Sequence, residues 1–297
     1  MSSLKEIKGR IASVRNTQKI TSAMRMVASA KLHHTQSMTE AFLRYRDGLQ
    51  SIVDSLNDNL NDNLNSYPLP LAPQLLPLAP CPSTLLIPVS SNSGLCGAFN
   101  SNIAKATMKR IQELELQGQT VHLLPIGKKI AHELKKANKD FNEDFVSLLE
   151  KIEKSNTFTD VSALVNLACA LHQNKKIDNV EFLYHHFKSM GSQIITIDSL
   201  SLTSCPLPLA PQPSLLTEPS PQELLTSLFP RLLNAQVYGI LLDSLTSEHA
   251  ARMLAMQTAD DNANDLLKEL TLLYNKTRQQ SITNELIDIM SGQIGKQ

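Results

Sequence analysis

Apolar residues near the N-terminus recur with the spacing of a helix that packs against another helix. The first set follows steps of three, four and three: Leu4, Ile7, Ile11 and Val14. Such a seam is typical of a coiled coil. A second set, Ile20, Met24 and Val27, keeps the spacing but changes its phase. A phase slip alters the winding of a coiled coil locally, so the pattern predicts a long but non-uniform N-terminal helix over residues 1–65.

The C-terminal part of the chain has a matching pattern. Ser220-Pro221-Gln222-Glu223 has the composition of a helix start, with Ser as the cap, Pro in the first turn and Glu three residues after Ser. A sustained heptad seam follows: Met256, Ala259, Ala263, Leu266, Leu270 and Leu273. We therefore predict a second coiled-coil helix over residues 221–297. At 1.5 Å per residue, about 70 residues of helix extend about 100 Å, which is too long for a globular domain to bury.

The region between the helices alternates strand and helix patterns. Predicted strands cover 84–89, 121–126, 180–188 and 193–200, and predicted helices cover 98–117, 128–139 and 160–174. The last two strands meet at Met190-Gly191-Ser192, which indicates a hairpin. We predict a small Rossmann-like α/β domain over residues 84–203, with a largely parallel sheet. The fold class is therefore α/β, with a long antiparallel coiled coil of the terminal helices.

Two Pro-rich stretches, residues 66–83 and 204–220, bracket this domain. Both contain the heptapeptide Pro-Leu-Pro-Leu-Ala-Pro-Gln, at 68–74 and at 206–212. Such segments favour extended polyproline geometry and act as stiff spacers, so we interpret them as linkers. A docking peptide for a proline-reading domain is the alternative.

Charge is balanced over the whole chain but sorted along it. Lys plus Arg and Asp plus Glu both number 28, which points to no nucleic-acid or membrane partner. Before Glu40, however, the chain has seven basic residues and a single acidic one, Glu6. This bias indicates that the first segment contacts an acidic partner. The four cysteines have no regular spacing, and no apolar run approaches the length of a membrane span, so we expect no disulfide scaffold, no metal site and no membrane insertion.

The loop from Ser91 to Asn100 follows a predicted strand and precedes a helix, where dinucleotide enzymes bind phosphate. Its two glycines, Gly94 and Gly97, do not have the G-x-G-x-x-G spacing. We expect them to permit a tight turn and close helix packing instead. Cys96 could be a nucleophile at a helix start, but a small buried hydrophobic residue is the favoured interpretation. We therefore expect no catalytic residue and no cofactor.

Four segments, in order, resemble the γ subunits of F-type ATP synthases. They are residues 5–28, with Ile11-Ala-Ser-Val-Arg-Asn-Thr-Gln-Lys-Ile-Thr21; Gly94-Leu-Cys-Gly-Ala-Phe-Asn100; Ser247-Glu-His-Ala-Ala-Arg-Met253; and 270–286, with Thr277-Arg278-Gln279. The chain departs from the family at Asn92-Ser93, where the family usually has an Asp and a basic residue. Near its end it also reads Gly292-Gln293 rather than Gly-Ala, and it carries the unusual Pro-rich inserts.

The resemblance implies a non-catalytic central rotor stalk of a proton- or sodium-translocating synthase. Its coiled coil would turn inside a ring of three α and three β subunits, and its α/β foot would meet the ε subunit and the c-ring. It would lie peripherally at the cytoplasmic face of the bacterial plasma (inner) membrane. By position in the motifs, Met24, Arg25 and Lys31 would meet one loop of β, and Arg278 and Gln279 another.

Two other functions are compatible with the residues alone. One is an interaction scaffold, in which a coiled-coil tether carries an unrelated α/β head. The other is an oxidoreductase that uses the central domain, which predicts binding of NAD or ATP by the isolated chain.

Overall fold

A computed structural model describes residues 4–61, 83–137, 158–173, 177–200, 218 and 221–294. Its elements are α1 (Leu4–Asn61), β1 (Ser83–Pro88), α2 (Phe99–Leu116), β2 (Thr120–Leu123), α3 (Lys128–Lys136), α4 (Phe158–Gln173), β3 (Asn179–Ser189), β4 (Ser192–Leu200) and α5 (Pro221–Ile294). The predicted elements are all present, with ends that differ by a few residues. Both repeated heptapeptides and Cys81 and Cys205 lie outside the described residues.

The chain forms two compact units, and in each of them α1 and α5 pair in antiparallel fashion. In the unit of residues 1–30 and 252–297, Gln18 bonds Asn264 at 2.7 Å, and Arg25 bonds Gln257. In the unit of residues 31–251, an apolar cluster joins the two helices: Leu49, Val53, Leu232 and Ala235. The predicted pairing of the two terminal helices is confirmed.

The shielded face of α1 keeps one heptad phase from Leu4 to Val53. Its positions alternate steps of three and four: Leu4, Ile7, Ile11, Val14, Gln18, Thr21, Arg25, Ala28, Leu32, Thr35, Thr39, Phe42, Arg46, Leu49 and Val53. The predicted phase slip is wrong, because Ile20, Met24 and Val27 are 62%, 44% and 52% exposed. The seam continues through polar residues instead, and the apolar triplet lies beside it.

The seam of α5 also differs in part from its prediction. Met256, Ala259, Ala263 and Leu270 are shielded as expected, but Leu266 and Leu273 are nearly half exposed. Leu267 and Tyr274 occupy the shielded positions in their place. Adjacent apolar residues made two phases equally consistent with the sequence, and packing selected one of them.

The central sheet has the strand order β2-β1-β3-β4. Strand β1 pairs in parallel with β2 and β3, and β4 pairs with β3 in antiparallel fashion. This arrangement confirms the predicted parallel sheet with an added hairpin. Parallel strands need both faces covered, and they are covered here.

Each face of the sheet has its own apolar core. One face packs Leu86 and Leu183 against Ile103 and Ile111 of α2 and Ile130 of α3. The other face packs against α4 and against one segment of α5: Leu233, Val237, Ile240 and Leu241. The segment of α5 before residue 252 is therefore part of the α/β core as well as a partner of α1.

Candidate partner-binding surface

A stripe of exposed apolar side chains runs along α1 beside its buried seam. Ile20, Met24 and Val27 are spaced by four and three residues, so they share one helix face. Exposed apolar side chains that are contiguous on one face mark interaction surfaces more often than scattered ones do. Met24, predicted to contact a partner, lies in the middle of this stripe.

Arg25 is placed differently from its neighbour Met24. Its guanidinium donates a hydrogen bond to Gln257 Oε1, and its Nη1 lies 3.9 Å from Asp260 Oδ2. Asp260 is 8% exposed, and its Oδ1 has no hydrogen-bond partner among the described residues. The arginine therefore supplies positive charge to a buried carboxylate within the same coiled coil. Part of its function is internal, a role that the motif did not reveal.

The other predicted site residues are exposed. Lys31 lies on α1, and Arg278 and Gln279 lie close together on α5. All three can reach a partner without any change in the packing of the helices. Of the five predicted residues, Met24, Arg25 and Lys31 lie within about two turns of α1, and Arg278 and Gln279 are consecutive on α5, so their proximity follows from the sequence alone.

The basic residues of the first segment are also directed outward. Lys5, Lys8, Arg15, Lys19 and Lys31 are all exposed. Arg10 is exposed too and forms an ion pair with Glu6 at 2.8 Å. Because an exposed charge acts on its surroundings mainly through long-range attraction, this face favours an acidic partner.

Polar side chains of the loop after β1 form hydrogen bonds within the protein. Asn92 Oδ1 accepts the amide of Lys128 at 3.1 Å, and Ser90 Oγ accepts that of Ile130 at 3.1 Å. These bonds cap the N-terminus of α3, where a phosphate would otherwise find amide donors. Gly97 has a φ of 60°, as the tight turn requires, whereas the close approach occurs at Gly127. There, a Cβ would lie 2.4 Å from the carbonyl oxygen of Ser90.

Two buried side chains follow this loop. Cys96 is 2% exposed, and its sulfur accepts a hydrogen bond from Asn100 at 3.1 Å, which agrees with the predicted buried position. His185 of β3 is also 2% exposed and stacks on Phe99 with ring centroids 4.1 Å apart. Burial lowers the pKa of His185 to about 4, so its ring is neutral at physiological pH. Its neighbour His186 points to the opposite face of the strand, as alternation predicts.

A cavity of about 830 Å³ lies between α1, the β3–β4 hairpin and α5 within the second unit. Several of its ionisable groups are bonded to one another. Tyr184 donates to Asp198 at 2.7 Å, and His186 Nδ1 lies 2.6 Å from Asp243 Oδ2. These pairs join structural elements, which favours a structural role for the polar lining.

Comparison with known proteins identifies the family. The chain matches the protein-family model described as ATP synthase over residues 3–294. It is 48% identical to the ATP synthase gamma chain of Parabacteroides distasonis over 298 residues, with 98% of each chain covered. The chain belongs to the ATP synthase gamma chain family. The gamma chains of Bacteroides fragilis and Rhodospirillum rubrum are 41% and 36% identical to it, each with 98% of this chain and 99% of theirs covered.

Chains in solved ATP synthase structures share the fold. A rotational state of the Euglena gracilis mitochondrial ATP synthase (OSCP/F1/c-ring) contains a chain with a TM-score of 0.64 and 19% identity. The match covers 98% of this chain and 94% of that one. A chain of the Tetrahymena thermophila central stalk and c-ring has a TM-score of 0.56 and 24% identity, covering 81% and 99%. These chains from ATP synthase structures thus share the fold described here, with paired terminal helices and a small α/β domain.

None of the helices in the described part of this gamma-family chain combines the length and the apolarity that a bilayer span requires.

Proposed function

We propose that this chain is the central rotor stalk of an F-type ATP synthase that translocates protons or sodium ions. The paired terminal helices form the shaft, and the α/β domain forms the foot. Rotation driven by the ion flow turns the shaft and forces each catalytic β subunit through a cycle of conformations. Family membership supports this role. The observation that carries it is the α1–α5 pair, which buries one seam and leaves an apolar and basic outer face exposed.

The partners we propose are three α and three β subunits around the shaft, and the ε subunit and c-ring at the foot. We divide the chain accordingly into residues 1–65, 84–203 and 221–297, with linkers at 66–83 and 204–220. The complex would hold the chain peripherally at the cytoplasmic face of the bacterial inner membrane. The chain supplies no catalytic group and no cofactor site, which the internal use of the Ser90 and Asn92 side chains supports.

Reconstitution tests the function directly. Purified α and β subunits are assembled with and without the chain, and ATP hydrolysis is measured. We expect the chain to co-purify with the hexamer and to raise steady-state hydrolysis, because an asymmetric shaft makes the three β subunits inequivalent. Equal hydrolysis in both preparations, with no ε or c-ring in pull-downs, would refute the proposal.

We propose Met24, Arg25, Lys31, Arg278 and Gln279 as the residues through which the shaft acts on β. The exposure of Met24, Lys31, Arg278 and Gln279 supports direct contact. Arg25 contributes by fixing the position of Met24, because its guanidinium is bonded to α5.

The double variant Arg278→Ala, Gln279→Ala tests the second pair. We expect assembly to be retained and ATP synthesis in membrane vesicles to fall by about tenfold, equivalent to one or two charge-assisted hydrogen bonds. The matched control is Lys105→Ala with Gln112→Ala, a basic residue and a glutamine that are both exposed on α2. Unchanged synthesis in the test variant removes Arg278 and Gln279 from the site.

A further inference from the structure

Strand β3 extends beyond the end of β1, the strand that pairs with one of its two edges. The register of β1 with β3 ends at Pro88 opposite Leu183, and the last bond of this ladder is from the Val89 amide to the Leu183 carbonyl at 2.9 Å. Strand β3 itself continues to Ser189. Alternate residues of a strand direct their backbone groups to the same edge, so His185 and Phe187 face the side where β1 has ended.

Two side chains of α5 bond this open edge. Ser247 Oγ donates to the His185 carbonyl at 2.9 Å, and the Phe187 amide donates to Asp243 Oδ1 at 2.9 Å. In a parallel ladder, the neighbouring strand would supply an amide donor to the His185 carbonyl and a carbonyl acceptor to the Phe187 amide. Asp243 and Ser247 are four residues apart and share one helix face. The Ser247 hydroxyl therefore takes the place of the donor, and the Asp243 carboxylate takes the place of the acceptor, that a further strand would supply.

This contact is shielded and directional. Ser247 is 0% and His185 2% exposed, and the side chain of Asp243 is 17% exposed. The second oxygen of Asp243 holds His186 Nδ1 at 2.6 Å, so one carboxylate engages two consecutive residues of β3. A bond between a carboxylate and an amide is stronger than a neutral one, and burial makes its loss more costly.

Hydrogen bonds differ from the apolar contacts that also join α5 to the sheet. The contacts of Leu233, Val237 and Ile240 stabilise the packing, but the hydrophobic effect behind them is non-directional. The bonds from Asp243 and Ser247 weaken steeply with a change in angle or distance. They are thus directional restraints on turning of α5 against the sheet.

We propose that Asp243 and Ser247 form a mechanical clamp that transmits torque between the α/β domain and α5. The inference rests on the proposed rotor function. Both are positioning residues: a force on the sheet reaches the helix through β3 instead of being lost as slip at the interface.

The test compares two double variants in the complete synthase in inverted vesicles. Asp243→Ala with Ser247→Ala removes the clamp, and Leu233→Val with Ile240→Val weakens the same interface without touching the directional bonds. ATP hydrolysis and the gradient of the translocated ion, proton or sodium, sustained per ATP hydrolysed are measured for both. We expect both variants to hydrolyse ATP, and only the clamp variant to sustain a smaller gradient per ATP. Asp243→Asn with Ser247→Thr keeps an acceptor and a hydroxyl, and should restore the gradient.

Amide exchange provides the structural readout. In the clamp variant the Phe187 amide should exchange about tenfold faster, as the loss of one buried bond implies. A wild-type gradient per ATP in the clamp variant, or an equal loss in the control variant, overturns the proposal. If the clamp variant does not assemble, Ser247→Ala alone replaces it in the gradient measurement, because the Phe187 amide keeps its bond to Asp243 in that variant. Failure of the rotor function gives a different result, because the wild-type chain would then support no coupled pumping at all.

Discussion

Buried polar side chains determine much of what single residues do in this protein. His185 is the clearest case, since its ring is stacked on Phe99 and its Nδ1 is buried with no hydrogen-bond partner among the described residues. A neutral imidazole tolerates this position, whereas a protonated one would place an unpaired charge in the core. The residue therefore links the stability of the α/β domain to pH.

Replacing His185 with Phe should remove one part of the acid sensitivity. The pKa of His185 is lowered from 6.5 to about 4 in the fold, so the unfolded chain binds the proton more readily. The stability that the neutral ring provides is complete above pH 6.5 and is lost as the pH falls toward 4, by about 3 kcal/mol in total. Urea unfolding at a series of pH values should show this loss in the wild type but not in His185→Phe. The exposed His33→Gln is the control, and parallel profiles for wild type and His185→Phe would contradict the assignment.

The sequence could predict chemistry at this scale only in part. The interpretation of Cys96 as a small buried hydrophobic residue agrees with its burial, and strand alternation accounts for the placement of His185 and His186 on opposite faces. The bonds of Arg25 to α5 and of Ser247 to β3 were not predictable, because they join residues that are far apart in the chain. Nor does the sequence contain the surface of β, so the exposure of Arg278 and Gln279 leaves their role a proposal.

At the scale of elements, one continuous heptad organises α1. Apolar residues hold the seam at Leu4, Ile7, Ile11 and Val14, and polar residues hold it around Arg25. The polar residues around Arg25 lower the apolar contribution to the pairing of α1 with α5. They also fix the axial register of the two helices, because Arg25 lies beside the buried Asp260 in one register only. The exposed apolar residues of this helix are then available for another surface.

Two isoleucines on the same helix distinguish seam from surface. Ile7 is 1% exposed and Ile20 is 62% exposed. We expect Ile7→Ala to lower the free energy of unfolding by about 2 to 4 kcal/mol and to speed amide exchange in residues 4–28. Ile20→Ala should change stability by less than about 0.5 kcal/mol. Equal effects of the two substitutions on urea unfolding, followed by helix circular dichroism, would mean that the seam has the predicted phase slip after all.

The helices and strands were largely predictable from the sequence, but the face of α1 that packs against α5 was not. Alternation of strand and helix patterns between two long amphipathic segments was enough to predict the α/β domain and the paired helices. The error at Ile20, Met24 and Val27 arose because the spacing of apolar residues was taken as the seam. In the structure, polar residues occupy the seam there, and tertiary contacts with Gln257 and Asp260 outweigh the local pattern.

At the scale of the whole molecule, the net charge is zero, but the charged residues are unevenly distributed along the chain. The first helix carries an excess of exposed basic residues, and the chain as a whole has equal numbers of acidic and basic groups. Uniform neutrality would give no preferred direction of approach to a partner. A basic face on a neutral molecule orients the approach, and its effect depends on ionic strength.

Removing three charges from this face should therefore slow assembly more than it weakens the assembled complex. For the triple variant Lys8→Gln, Arg15→Gln and Lys19→Gln, we expect the rate of association with an α/β hexamer at low salt to fall by about tenfold, with a smaller change in dissociation. Its association rate should also depend less on salt than that of the wild type. The control removes the same net charge elsewhere, through Lys105→Gln, Lys128→Gln and Lys136→Gln on α2 and α3, all exposed. Since both variants have the same total charge, a difference between them isolates the location of the charge. Equal slowing in stopped-flow mixing would instead attribute the attraction to net charge alone and would leave the basic face of α1 without a role in recognition.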